Sequence, residues 1–251
     1  MSKTIINSIN KALTILDILV FEDFENEGIA LSELSKMTEI KPSTLHNILK
    51  TMVHCGYVQQ YDNLKYAAGM KCKSIGFLNK FSPGLPLYNK IEVIISALSK
   101  KLSEAVVFAV LIDGNRIPVV TCNNDNIIKV DCRSLEQKSI YSLVTGRILT
   151  AFANQNNLEL IKEKWGFPGE KWDNINTDLE LSKALKNIQE KGFAENIEGN
   201  SLYSIAVPAV GEHGEIASIG CYAPLFRCDD QKRIKILNEL KKTATDIKNY
   251  F

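Results

Sequence analysis

Long hydrophobic runs are scarce in this sequence. The longest, AVVFAVLI at residues 105–112, falls far short of the roughly 20 apolar residues that a membrane helix needs. MSKTIINSIN has no apolar stretch of the secretory kind, so no leader is expected. The six cysteines, at 55, 72, 122, 132, 221 and 228, form no C-x-x-C pair, which points to free thiols in the cytosol and not to a disulfide framework. No G-x-G-x-x-G follows a strand and no G-x-x-x-x-G-K-[ST] occurs, so no nucleotide, methyl donor or other cofactor is expected. The three histidines, His46, His54 and His213, lack metal-ligand spacing. Charge of one sign is lacking too: 30 basic residues face 29 acidic ones. In residues 1–70, six lysines face eight acids, so bulk charge gives no warrant for nucleic-acid binding and only its local distribution can.

What is present is an ordinary globular composition, 45% hydrophobic and 24% charged over 251 residues, enough for one large or two modest domains. From Ser8, read as an N-cap, to about Phe21, apolar residues recur at helical spacing. The acidic run EDFENE at 22–27 reads as a loop. ALSELSKM at 30–37 forms a short helix with Leu31 and Leu34 inward, and a third helix starts near Pro42, which needs no N–H partner there. At 100° per residue, Leu45, Ile48, Leu49, Met52 and Val53 share one stripe, leaving Ser43, His46, Asn47, Lys50, Thr51 and His54 elsewhere. Gly56 ends this helix. YVQQYDNLKYAAG then reads as two short strands around Asp62-Asn63. Three helices and a hairpin make a winged helix-turn-helix.

The third helix carries short polar groups and cations, and no acid occurs from residue 40 to residue 61. A recognition helix enters a major groove about 12 Å wide, where short hydroxyls and amides approach base edges and an acid would be repelled by phosphates. Lys41, Pro42, Ser43, Thr44, His46, Asn47, Lys50, Thr51 and the wing's Lys65 are therefore the candidate DNA-contact residues. The bland alternative is a winged helix used only to dimerise an enzyme or metabolite-binding protein, its polar face merely solvated.

KCKSIGFLNKF continues as a helix to SPGLP at 82–86, where prolines and a glycine mark a boundary. Beyond it, a helix over Leu87–Leu102 precedes two strands joined at Asp113-Gly114-Asn115, a hairpin signal. IIKVDCR reads as a further strand, followed by a helix from Tyr141 through Phe152 and others near 157–165 and 178–191. SLYSIAVPAV and IASIGCYAP form the last strands around His213-Gly214, and a long helix starts at Asp229. This is an α+β arrangement. Cys122, Cys132 and Cys221 fall on strands as buried thiols. Glu195 and Glu198 read as a surface loop, and WGFPGEKW, with two tryptophans, as a pocket lid or, more commonly for such residues, a loop anchored onto the core.

LSELSKMTEIKPSTLHNILKTMVHCGYV closely resembles the helix-turn-helix of the IclR family of bacterial transcriptional regulators. INSINKALTILDIL resembles that family's first helix, and KYAAGMKCKSIG its wing end and linker entry. Two departures stand out: Glu39 where the family commonly has Gly in the turn, and Asn47 where it has Arg. The second suggests a changed operator, since Arg favours guanine and Asn adenine. SIYSLVTGRILTAF resembles the family's pocket segment, with Gly146 and Arg147 at its usual Gly-Lys, and SLYSIAVPAV and IASIGCYAP resemble the strands beside it. Here Tyr141 replaces a usual His, Ser139 a usual Pro and Ser201 a usual Gly, and 192–201 is about two residues short.

The resemblance implies a winged helix-turn-helix over 1–68, a linker helix over 69–83 and a GAF-like α+β effector-binding and oligomerisation domain over 84–251. It implies a small effector, often a carboxylate, held among Tyr141, Ser142, Thr145, Glu195, Glu198, Ser204, Gly220 and Tyr222. Free N–H groups of the Tyr141 helix, helped by Ser142 and Thr145, would face its anionic group. The expectation is a cytoplasmic, non-enzymatic regulator, a homodimer or dimer of dimers on a pseudo-palindromic duplex, with no cofactor, metal or membrane partner.

Overall fold

A computed structural model of the chain describes residues 5–23, 25–123, 126, 128, 130, 139–199, 201–211 and 215–250. It divides into two compact units, Met1–Asn79 and Lys80–Phe251.

The first unit contains α1 (Asn7–Phe21), α2 (Leu31–Thr38), α3 (Pro42–His54), β1 (Val58–Gln60), β2 (Tyr66–Ala68) and α4 (Met70–Asn79). α1 begins one residue before Ser8, which is therefore not its cap; Ile6 holds that position without a side-chain bond. Leu34, Leu45 and Leu49 are wholly buried with Ile15 and Leu19, each contributing about 1.5–3 kcal/mol of apolar burial. Val53 departs from the expected stripe: it lies at the rim, 37% exposed, while Met52 takes the inward place. Gly56 accepts the left-handed conformation (φ +78) after α3 and turns the chain into the hairpin.

β1 and β2 pair antiparallel with Gln60 opposite Tyr66. The acidic run closes into a loop whose Asp23 carboxylate accepts the N–H groups of Glu27 and Gly28 at 3.0 Å each. α4 has no buried residue.

The second unit holds α5 (Pro86–Leu102), β3 (Ala105–Ile112), β4 (Asn115–Cys122), a 3₁₀ turn (Ile140–Ser142), α6 (Val144–Ala151), α7 (Gln155–Trp165), α8 (Asp178–Lys191), β5 (Ala194–Glu198), β6 (Leu202–Val210), β7 (Ile216–Pro224), a second 3₁₀ turn (Leu225–Arg227) and α9 (Asp230–Ile247). The sheet is antiparallel, in the order β4-β3-β7-β6-β5. α5 and α9 pack against it and each other, and α6 packs on β6 and β7. Ala105, Val107, Ala109, Ala206 and Tyr222 alternate into the core beneath α6 with Ile148 and Leu149. The β3–β4 hairpin forms where Asp113-Gly114 foretold, both residues at positive φ.

Three sequence expectations change. The helix drawn from Tyr141 through Phe152 is two pieces: Leu143 is extended (φ −115, ψ 138) and α6 begins after it. Glu195 and Glu198 lie on β5, a sheet edge, and not in a loop. Its short, polar pattern carries little strand signal, and pairing with β6 decides it. Of the strand expected at IIKVDCR, Ile128 and Val130 are outside any strand and the remaining residues, Cys132 included, lie outside those described, as does the His213-Gly214 turn.

Candidate functional site

In the first unit, α2 and α3 are joined by Glu39, Ile40 and Lys41. Glu39 stands in the left-handed region (φ 55, ψ 20), a conformation costing a non-glycine residue about 1 kcal/mol or more. The turn is held by side chains: Thr38 Oγ1 donates to Leu34 O at 2.6 Å, Ser35 Oγ donates to Ile40 O at 2.7 Å, and Ile40 is buried beneath. The glutamate thus occupies the place where the resemblance leads one to expect glycine, with the geometry a glycine would have.

Lys41, Pro42, Ser43, Thr44, His46, Asn47, Lys50 and Thr51 are all exposed on one continuous face of α3 and its entry. Pro42 opens the helix without needing a partner, and the first-turn amides of Ser43 and Thr44 point out of the helix end by its geometry. The Thr51 hydroxyl donates back to Asn47 O at 3.0 Å, so its contact capacity is reduced. Lys65 is half-buried in the hairpin, its amide donating to Asn63 Oδ1 at 3.1 Å.

In the second unit the predicted effector residues separate into two groups. Tyr141, Thr145, Ser204 and Tyr222 are buried. The Tyr141 hydroxyl donates to Gly166 O at 3.0 Å, and burial pushes its pKa up to about 12. Thr145 Oγ1 accepts from Arg116 Nε at 2.7 Å and lies 3.0 Å from the Tyr222 hydroxyl. The Ser204 hydroxyl donates to Asn196 O at 3.3 Å. Gly220 leaves room for the Thr145 methyl group, which a Cβ would strike. Gly146 is likewise needed, because a Cβ would collide with the Ile140 carbonyl. The anion-facing role drawn for a Tyr141 helix therefore fails on geometry: Tyr141 is in a separate 3₁₀ turn, and α6 starts three residues later with its first turn wholly buried.

Ser142, Glu195 and Glu198 instead line open space. Two adjoining clefts, of about 480 and 760 Å³, share Arg147, Trp172, Asp173, Asn196 and Ile197. Ser142 and Glu198 line the larger with Ser139, Trp165, Glu170 and Lys171; Glu195 lines the smaller with Asn187, Lys191 and Arg233. Ser139 Oγ is buried without a hydrogen-bond partner beside the larger cleft, a donor suited to a bound polar group. Arg147 is 6% exposed. Burial lowers its pKa, opposed by the charge of Asp173 and by Tyr222.

The expected effector set omits Arg147, Trp172, Asp173 and Asn196, although Arg147 lies in the segment that resembles the family's pocket and Trp172 in the loop read as a possible lid. One signal was available, the lone cation inside the apolar stretch LVTGRILTAF. Trp165 does anchor a loop, its indole donating to Gly114 O at 2.9 Å, but it also faces the cleft. Cys221 and Cys228 are buried thiols; Cys122 is half-buried, its pKa pushed up by desolvation and by Glu92.

Among the described residues no group of three or more His, Cys, Asp or Glu side chains could hold a metal ion, and no helix is long and apolar enough to cross a membrane.

Residues 8–62 match the IclR helix-turn-helix domain, and residues 80–249 match the family described as bacterial transcriptional regulator IclR C-terminal. The HTH-type transcriptional regulator XynR of Escherichia coli (strain K12) is 24% identical over 245 residues, covering 96% of this chain and 95% of that protein. The HTH-type transcriptional regulator KdgR of the same organism is 23% identical, over 96% and 92% of the two chains. Among solved structures, the Thermotoga maritima IclR aligns with TM-score 0.54 at 18% identity over 97% of this chain and 98% of that one. The IclR transcriptional regulator of Alicyclobacillus acidocaldarius aligns with TM-score 0.57 at 15% identity, over 98% and 99%.

Proposed function

Because the chain belongs to the IclR family of bacterial transcriptional regulators, we propose that it is a cytoplasmic, ligand-responsive regulator whose dimer sets two α3 helices on the half-sites of a pseudo-palindromic duplex. It is a DNA-binding regulator with a helix-turn-helix domain and not an enzyme. The finer division follows the chemistry of the side chains. Ser43, Thr44, His46 and Asn47 read base edges, with Pro42 and Thr51 packed at the groove wall, and Lys41, Lys50 and Lys65 hold phosphates.

The observation that carries this reading is the exposed, acid-free face of α3. A helix used only for dimerisation has no reason to exclude acids there, so this face disfavours the dimerisation-only alternative. A dimer is supported by apolar groups left open on the first unit: Ile6 just before α1 and Ile9 and Leu13 on it, each more than half exposed, and Met70 and Ile75 on α4. A ten-residue helix with no buried residue is too short to stand by itself.

The effector reading places a small polar ligand, with a carboxylate as the first class to test, in the cleft around Arg147, Ser139, Ser142 and Glu198. It rests on the buried cation and the unpartnered Ser139 hydroxyl. A ligand acts on DNA binding only by preferring one dimer arrangement over another, with residues 69–83 as the connection between domains 1–68 and 84–251.

Selection of bound duplexes from a random pool, at near-physiological and at higher salt, tests the proposal. A recovered palindrome with salt-sensitive affinity supports it. Failure to enrich any motif, with and without candidate acids, would overturn it.

A further inference from the structure

The two clefts that share Arg147 carry opposite balances of charge. Among the described residues, the larger is lined by three carboxylates, Glu170, Asp173 and Glu198, against two cations, Arg147 and Lys171. The smaller reverses this, with Arg147, Lys191 and Arg233 against Asp173 and Glu195. A ligand that is only an anion meets like charges in the larger cleft, and one that is only a cation meets them in the smaller.

The groups at the junction narrow the chemistry further. Arg147 is 6% exposed and directs Nε and Nη2 to the carbonyls of Tyr141 and Lys171. Those neutral partners fix the guanidinium in place without cancelling its charge. Burial lowers the Arg147 pKa and the charge of Asp173 opposes this, so a ligand that reaches Arg147 also comes under the field of Asp173. Ser139, 8% exposed, lines the larger cleft with a buried hydroxyl that has no partner, and such a hydroxyl can donate to a carboxylate. Trp165 and Trp172 border the same space, and the indole face is the best of the aromatic partners for an ammonium group.

We propose that the effector is a zwitterion of the amino-acid class, its carboxylate against Arg147 and Ser139 and its ammonium toward Glu170, Asp173 and the tryptophans. This rests on the effector reading above and narrows it: the carboxylate is kept and a cationic group is added. An acid with no amine leaves the carboxylates of the larger cleft uncompensated, and placing its own charge beside them weakens its hold.

The test is calorimetric titration of the purified chain with each of the common L-amino acids and with a panel of simple, hydroxylated and aromatic carboxylates. Every amino acid that binds is then compared with the same skeleton lacking its ammonium group and with the amine lacking its carboxylate. At least one amino acid is expected to bind, and both truncated probes are expected to bind several-fold more weakly. Ser139→Ala should weaken the amino acid and the deaminated acid alike. Glu170→Gln combined with Asp173→Asn should weaken the amino acid several-fold and tighten the deaminated acid, an inversion that a merely structural role would not produce. Both side chains are exposed, and asparagine tolerates the left-handed backbone of Asp173 (φ 52), so the double variant should melt as the wild type does. If carboxylates without an amine bind as tightly as any amino acid, or if the double variant weakens both probes equally, the inference is overturned and the effector reading stands. An amine that binds as well as its amino acid overturns the inference and the carboxylate assignment together. If neither amino acids nor carboxylates bind, the effector reading itself falls.

Discussion

Arg147 holds its guanidinium carbon 5.0 Å from the centre of the Trp172 ring while its Nε and Nη2 donate to the carbonyls of Tyr141 and Lys171, at 2.9 and 3.1 Å. One buried cation thereby ties the 3₁₀ turn, α6 and the tryptophan loop into the wall of the cleft. Arg147→Ala strips donors from two carbonyls, each costing about 1–3 kcal/mol if buried and unpaired. The expected loss is on the order of 3 kcal/mol in urea unfolding. Arg147→Lys recovers only part, since an ammonium cannot reproduce the planar fork or the stacking. A loss below about 1 kcal/mol for the alanine variant would show that the wall stands without it.

Glu39 carries strain that a glycine would not. Glu39→Gly is expected to stabilise the first unit by about 0.5–1 kcal/mol, the relief of left-handed strain exceeding the added unfolded-state entropy. It should also raise affinity for DNA slightly, because a carboxylate leaves the neighbourhood of the phosphates. Thermal melting and anisotropy titration read the two effects; a destabilised variant would contradict the assigned backbone strain.

Lys50 and Asn47 should fail differently. Lys50→Ala is expected to weaken binding to all duplexes and to reduce the slope of log K against log salt by about one, whereas Asn47→Ala should cost roughly 1–3 kcal/mol at the preferred site and relax the preference at one position. Equal loss of specificity from both would sink the division of labour along α3.

The start of α8 gives a pH signature. The Glu180 carboxylate accepts the N–H groups of Asn176 and Thr177, at 2.9 and 3.1 Å, while Thr177 Oγ1 accepts the Glu180 N–H at 3.3 Å. These bonds, led by the one from Asn176, lower the Glu180 pKa in the folded state. Its contribution is therefore present above the ordinary carboxylate pKa, about 4.3, and fades as pH falls through the lowered folded value. Glu180→Gln should lower the melting temperature at neutral pH and flatten its decline below about pH 4.5. Thr177→Ala should lower it by roughly 2–4 °C, as loss of an N-cap does. An acid limb unchanged by Glu180→Gln would refute the linkage.

The two units were not equally legible. In the first, Leu34, Leu45 and Leu49 repeat at a helical period, Pro42 and Gly56 punctuate α3, and the polar residues of that helix are contiguous in sequence, so both the fold and the exposed polar face could be read directly. The Ser8 cap and the inward place of Val53 were misread, and the strained wing residue, Leu64, escaped because Asp62 and Asn63 carried the stronger turn signal.

In the second unit, the chain by itself determined the elements with strong local codes: the Asp113-Gly114 hairpin, the long helices and the apolar strands. It could not determine which polar groups meet. β5 is a strand because β6 offers it a register, not because AENIE favours one. The cleft joins Arg147, Trp172 and Asn196 through packing between segments far apart in sequence. Tyr222 and Thr145 touch across 77 positions in the interior, a meeting that no local pattern announces. Periodicity reports what one segment prefers; the burial of a given hydroxyl or guanidinium is fixed by neighbours that only tertiary structure supplies.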